Sequence, residues 1–201
     1  MPSNLKHKIT LIGSSGLIGT NFLEQIGPDD FQNVKAITRR KILNLENKDF
    51  IKQSVHDFSD LEKMRQDLKT DVLVSALGTT IKKAGSKENF KKIDVDYCLS
   101  VANQSLNLGA KNLSLVTSIG SDKNSKNFYL STKGLVEYEI SKLSYESISI
   151  YRPGLLIGSR EEARLGEFIG QLIQPLLIDP FLGGAVKKYK SIKAELLADF
   201  I

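Results

Sequence analysis

Residues 9–19 read I-T-L-I-G-S-S-G-L-I-G: an apolar run with β-branched residues, a glycine loop, and the opening of a helical pattern. Strand, glycine loop and helix in this order form the phosphate-binding turn of a dinucleotide-binding βαβ unit. Gly13 permits the tight turn, Gly16 lets the backbone approach a pyrophosphate, and Gly19 lets the helix lie close to the sheet. The helix start then offers unpaired N–H groups and a positive dipole end to the phosphates.

Outward from this unit, β-rich apolar runs recur at 34–38, 50–55, 72–76, 113–117 and 147–151. Segments 17–26, 61–68, 90–108 and 129–143 place apolar residues at helical spacing. Strand alternating with helix predicts an α/β fold, a Rossmann-type doubly wound parallel sheet with helices on both faces. The charged stretch 40–49 carries no element on this reading, and residues 191–201 read as the last helix. The whole chain, 1–201, reads as one NAD(P)-binding Rossmann domain in which residues of about 158–190, broken by Pro175 and Pro180, form a small substrate-side cap. In a doubly wound sheet, ligands bind where the loops after the strands converge. Here those loops are 13–16, 38–40, 75–80, 118–121 and 152–158.

Composition bounds the partners. A chain of 201 residues, 41% apolar and 25% charged, is large enough to bury its own core. The net charge of +5 comes from lysines spread along the chain, not from a dense tract or an aromatic-interleaved basic motif. This predicts no nucleic-acid partner and suits an anionic cofactor. No apolar run approaches membrane-spanning length. With a lone Cys98 and a polar stretch before the first strand, the expected compartment is the reducing cytoplasm. Cys98 lies on an apolar helix face and reads as a core residue.

Three groups of residues carry chemistry. The second strand ends Ile37-Thr38-Arg39-Arg40, where an acidic residue would bind the ribose of NAD and arginines instead favour the 2′-phosphate of NADP; NADP(H) is therefore expected over NAD(H). Asp57, after the third strand, is placed to accept a hydrogen bond from the adenine amino group, while His56 reads as an ordinary, partly exposed residue. Tyr129 and Lys133 stand four apart at a helix start and so share a face. A tyrosine titrates near ~10 and needs a neighbouring cation to work at neutral pH, which Lys133 supplies. Ser118 ends the fifth strand facing the same crevice, where its hydroxyl can hold a carbonyl while Tyr129 donates a proton. Pro153 and Gly154 shape a wall beside the nicotinamide. Arg164 either reaches a cofactor phosphate from the cap or pairs with Glu161 or Glu162.

With these motifs the chain resembles the short-chain dehydrogenase/reductase superfamily, and more closely its atypical branch typified by the human Tat-interacting protein-like oxidoreductases. The resemblance rests on G-S-S-G-L-I-G at 13–19, T-R-R at 38–40 and L-G-T-T-I-K-K-A-G at 77–85. It continues with S-I-G-S-D-K at 118–123, Y-L-S-T-K at 129–133 and Y-R-P-G-L-L-I-G-S-R-E-E-A-R-L-G-E at 151–167. It implies that Ser15, Gly16, Leu17 and Ile18, within a loop closed by Gly13, Ser14 and Gly19, line the pyrophosphate. Arg39 and Arg40 take the NADP phosphate, and Ala76, Leu77 and Gly78 border the riboses. Tyr129 and Lys133 hold the nicotinamide ribose and substrate, and Leu156 and Arg164 close over the cofactor. Many superfamily members carry an asparagine in the helix after the fourth strand that serves a proton relay; here that stretch reads Lys92-Ile93-Asp94-Val95-Asp96.

The expected activity is NADP(H)-dependent hydride transfer between the cofactor and a carbonyl or alcohol of unknown identity, with Tyr129 as acid/base, Lys133 as its electrostatic partner and Ser118 orienting the carbonyl. The alternative is a regulatory or scaffolding protein whose surface for a protein partner is ordered by NADP(H). A nucleotide-sugar epimerase would need a larger C-terminal substrate domain than this chain holds. Monomer and homodimer both remain open.

Overall fold

The computed structural model describes residues 6–45, 48–154, 156–157 and 192–201. Six strands form one parallel sheet: β1 (Lys8–Ile12), β2 (Asn33–Thr38), β3 (Ile51–Val55), β4 (Val72–Ser75), β5 (Asn112–Val116) and β6 (Ser147–Tyr151). Their order is β3-β2-β1-β4-β5-β6, so the chain reverses direction across the sheet between β1 and β4. This is the doubly wound topology that the alternating pattern predicts. The central strands β1, β4 and β5 are buried along most of their length and read as largely apolar runs, while the edge strands β3 and β6 are more polar and less buried.

Alternation along β1 shows how the core divides. Ile9 and Leu11 enter the cluster under α1 (Leu17–Gln25), with Phe22, Leu23, Val34 and Ala36. Ile12 points to the other face, where Leu73, Val101, Leu113, Val136 and Ile140 pack. Thr10, also fully buried, satisfies its hydroxyl by donating to the Asp67 carbonyl at 2.6 Å.

Helices follow the apolar stripes with three differences from expectation. The predicted helix at 61–68 is only α2 (Leu61–Met64). Ahead of the predicted helix at 90–108 lies a short α3 (Ile81–Ala84), capped by Thr80 and ended by Gly85 at φ +82°. The long helix itself is α4 (Lys87–Lys91), a π-helical turn (Lys92–Tyr97) and α5 (Cys98–Asn107) in one continuous run. Next, α6 (Phe128–Ile140) starts at Asn127, whose side chain accepts from the Leu130 N–H at 3.1 Å. Among the described residues of stretch 40–49 there is a 3-10 turn, Leu43–Leu45.

The last segment is not wholly helical. Ile192–Lys193 is a strand, β8, that pairs in parallel with β7 (Leu156–Ile157), and α7 (Ala194–Asp199) follows. Residue α7 side chains Leu197 and Ala198 are buried, and Gln25 on α1 donates to the Glu195 carbonyl at 3.0 Å. The expected cap at about 158–190 lies outside the described residues. Among the described residues no helix is long and apolar enough to cross a membrane.

Candidate active site

The crevice opens where β1 and β4 part. Gly13, at φ +79°, lies so close to the β4 loop that a Cβ would sit 2.3 Å from the Ala76 carbonyl oxygen and 2.5 Å from the Leu77 nitrogen. No side chain fits there. Gly19 is equally constrained, its Cβ position lying 2.4 Å from the Gly13 carbonyl oxygen. Ser15 and Gly16 are exposed, and Gly16 caps α1 in an extended conformation. As the first-turn residues of α1, Leu17, Ile18 and Gly19 have N–H groups without intrahelical acceptors, at the positive end of the helix dipole. Such a cradle fits a pyrophosphate.

Two of the expected loop residues turn their side chains elsewhere. Ser14 is fully buried, and its hydroxyl lies 2.9 Å from the Leu11 carbonyl and 3.0 Å from the Ile37 carbonyl. It ties the ends of β1 and β2 together, so its hydroxyl is committed to the fold and not to a ligand. Ile18 packs with Val116 and Leu197.

Beyond the β2 end, Arg39 and Arg40 are exposed. Arg39 and Asp57 line a cleft of about 550 Å³ with Val55, Ile93, Tyr97, Lys83 and Lys92. Its lining is mostly polar, and the cations Arg39, Lys83 and Lys92 among it suit an anionic group. His56 borders the cleft but is engaged, its Nε2 lying 2.9 Å from the buried Asp67 carboxylate.

On the other side of the crevice, Tyr129 is half-buried against Phe90, with ring centroids 5.9 Å apart. Lys133, one turn further along α6, is 6% exposed, and its Nζ lies 5.9 Å from the Tyr129 ring centroid. Its Nζ is 2.5 Å from Oδ1 of Asp94, which is 2% exposed. Burial alone would push the ammonium toward neutrality, but the Asp94 carboxylate reverses the direction and holds Lys133 above the ordinary lysine value. Burial pushes Asp94 itself up, against the pull of Lys133 and of the Thr79 N–H. Gly78 lies beside the pair: a Cβ there would be 3.5 Å from Lys133 Nζ. Ser118 is half-buried at the loop after β5, and the neighbouring Ile119 N–H donates to the Pro153 carbonyl at 2.8 Å. The structure thus brings the loops bearing Gly13, Ala76–Gly78 and Ser118–Ser121 and the start of α6 to one end of the sheet. Leu156 packs against Ile18 and Val116. Arg164 lies outside the described residues.

Sequence reading missed three features. Asp94 stands on the apolar stripe Phe90, Asp94, Cys98 and Val101, and an acid on a buried stripe is the available signal. Glu137 on α6 is likewise buried; it accepts from Thr117 Oγ1 at 2.5 Å and from Arg152 Nε at 3.0 and 3.1 Å, fastening α6 to the ends of β5 and β6. Gly134 lets α6 touch the 118–123 loop: a Cβ would lie 2.2 Å from both Asp122 C and Lys123 N. Among the described residues no cluster of His, Cys, Asp and Glu is arranged to hold a metal.

No protein-family profile matches the chain. Protein HTATIP2 of Rattus norvegicus is 35% identical over 180 residues, which is 88% of this chain and 74% of that protein. The mitochondrial protein FMP52 of Candida albicans is 35% identical over 188 residues, 88% of this chain and 80% of that protein. Among solved structures, the Bordetella bronchiseptica enzyme WbmH in complex with NAD+ superposes with a TM-score of 0.73 at 14% identity, covering 97% of this chain and 71% of that one. WbmG of the same organism, in complex with NAD and UDP, gives 0.66 at 17% identity over 80% of this chain, which spans only 57% of WbmG. These structures share the fold. Names of the fungal relatives correct the cytoplasmic expectation, because they are mitochondrial proteins. The cytoplasmic expectation rested on the lone Cys98, and a single cysteine does not separate one reducing compartment from another.

Proposed function

The chain belongs to the HTATIP2/FMP52 family, an atypical branch of the short-chain dehydrogenases/reductases, and from that premise we propose that it binds NADP(H) and reduces a carbonyl, or oxidises an alcohol, by hydride transfer. The observation that carries this reading is the buried, cationic Lys133 one helical turn from Tyr129, beside the open edge of Gly78 and across the crevice from the glycine cradle. When bound, the nicotinamide supplies or accepts the hydride. The first-turn N–H groups of α1 hold the pyrophosphate, and Arg39 and Arg40 take the 2′-phosphate by charge-assisted hydrogen bonds. Lys133 donates to the nicotinamide ribose, Ser118 orients the substrate carbonyl, and Tyr129 passes the proton to the carbonyl oxygen. The mitochondrial naming of the fungal relatives supports a mitochondrial place for this activity.

Titration of the protein with NADPH and NADH, beside an Arg39→Ala/Arg40→Ala variant, tests the cofactor. Charged hydrogen bonds of about 1.5–3 kcal/mol imply that the variant loses at least ~10-fold in NADPH affinity while NADH changes little. Binding of neither nucleotide, equal binding of both by the wild type, or an NADPH affinity unchanged in the variant overturns the assignment. Tyr129→Phe should abolish turnover and spare NADPH affinity; undiminished turnover removes Tyr129 from the mechanism. A protein partner captured only with NADPH, and still captured by Tyr129→Phe, would instead identify a scaffold.

A further inference from the structure

Two opposite charges are buried together beneath the crevice, at a point where the fold joins three elements. Asp94 comes from the π-helical turn, Lys133 from α6, and Thr79 from the loop after β4. One carboxylate serves all of them: Oδ1 lies 2.5 Å from Lys133 Nζ, and Oδ2 accepts from the Thr79 N–H at 3.0 Å. Gly78, next to Thr79, borders both groups, its Cβ position lying 3.5 Å from Nζ and 3.7 Å from Oδ1. Stability does not account for this arrangement. A buried ion pair gains little over an apolar pair of similar volume, because desolvation offsets the attraction. The π-helical turn is likewise a departure from regular helix geometry of the kind found at functional sites. What the pair does accomplish is geometric. A lysine has four rotatable bonds and a compact ammonium that ordinarily seeks water. Here one carboxylate joins it to the loop after β4.

We propose that Asp94 is a positioning residue: it aims Lys133 at the bound nucleotide's ribose and ties it to the Thr79 loop, so that Asp94 acts on nucleotide binding through Lys133. This rests on the reading that a nicotinamide nucleotide occupies the crevice. The titratable groups facing Lys133 are Asp94 and Cys98 from the helical run before it and Tyr129 from its own helix. Replacing Asp94 by Asn keeps the acceptor for the Thr79 N–H and the side-chain volume. It leaves Lys133 without its counter-ion, and burial then favours the neutral amine.

The test is an NADPH fluorescence titration of the full chain between pH 6.5 and 9, on wild type, Asp94→Asn, Lys133→Met, the double variant and Asp94→Glu, with thermal unfolding of each. Coupling between contacting residues predicts that Asp94→Asn changes the NADPH Kd by at least about 5-fold and makes it weaken as pH rises, whereas the same change in the Lys133→Met background alters it less than about 2-fold. Asp94→Glu keeps the charge and should keep the pH profile flat while shifting Kd. Equal effects of Asp94→Asn with and without Lys133, or a flat profile in that variant, overturn the proposal. If Asp94→Asn does not fold, Asp94→Glu decides: a profile that falls with pH overturns it. A wild-type chain that binds neither NADPH nor NADH overturns both this inference and the cofactor reading, whereas NADPH binding with an additive cycle removes only the role of Asp94.

Discussion

Replacing Gly134 by alanine sets two physical effects against each other at the base of the site. Gly134 is the middle residue of a 13-residue helix, and in an exposed helix interior Gly→Ala would add about 1 kcal/mol of stability. Gly134 is buried, however, and the added Cβ would lie 2.2 Å from two backbone atoms, Asp122 C and Lys123 N, and 2.6 Å from Asp122 Cα. Favourable carbon contacts begin near about 3.5 Å, so helix and loop must separate by more than ~1 Å. Both sides are backbone, and neither has a rotamer that relieves the contact. Overpacking of this kind costs about 1–3 kcal/mol, and the upper end applies where nothing flexible yields. Taking about 3 for the clash and about 1 for the helix leaves a net loss of about 2 kcal/mol, or a Tm lower by about 4–8 °C for a chain of this length. The strain falls between the Ser118 loop and the helix bearing Tyr129 and Lys133, so turnover should fall further than stability. Urea unfolding and a thermal scan measure the first effect. An unchanged or raised Tm would refute the reasoning, since helix propensity would then have prevailed.

Other outcomes follow from individual contacts. Cys98 is fully enclosed and 3.2 Å from Ser75 Oγ, and burial pushes its thiol up to about 11 from 9.0. The unfolded thiol ionises first, so its share of stability is whole below pH 9 and is lost as pH rises toward 11, at about 1.4 kcal/mol per pH unit. Urea unfolding at pH 8, 9 and 10 should show a loss between pH 9 and 10 that is smaller in Cys98→Ala; equal losses in both proteins would contradict it. The native thiol should also stay unlabelled by a disulfide reagent at pH 8 until the chain is unfolded. Glu137→Gln keeps the shape but removes the charge that Thr117 and Arg152 donate to, and Arg152, 52% exposed, can turn to water. The lower end of the charged hydrogen-bond range, about 1.5 kcal/mol, is therefore expected from urea unfolding, and a change under about 0.5 would show the cluster to be dispensable.

The six strands of the sheet were readable to within a residue or two, because most are short runs rich in apolar, β-branched residues closed by polar or glycine turns, and the edge strand β6 alternates apolar with polar. Helix α3 was not. Its four residues include none that is buried, so it has no apolar stripe, and its only signals were Thr80 at the start and Gly85 at the end. The π-helical turn was hidden for a different reason: apolar spacing across 90–108 fits an ordinary helix, and an inserted residue shifts the phase without changing composition. The segment 191–201 read as all helix because β8 is two residues long and its partner β7 lies far away in the chain.

Within the site the same division holds. Gly13, Gly16 and Gly19 announce a phosphate turn, and Tyr129 and Lys133 share a face, because these relations span a few residues and follow from backbone sterics and helical period. That Ser14 spends its hydroxyl on the ends of two strands depends on how β1 and β2 pair. That Lys133 meets Asp94, and that Gly134 must lack a Cβ, depends on which helices and loops come to rest against one another. The sequence by itself determined the order of elements, the glycine cradle and the Tyr129/Lys133 spacing; only the tertiary structure decided the Asp94–Lys133 pair and the Glu137 clasp. Local pattern reports which face of an element is apolar, whereas the partner of a buried charge is chosen when distant elements pack and water is excluded between them.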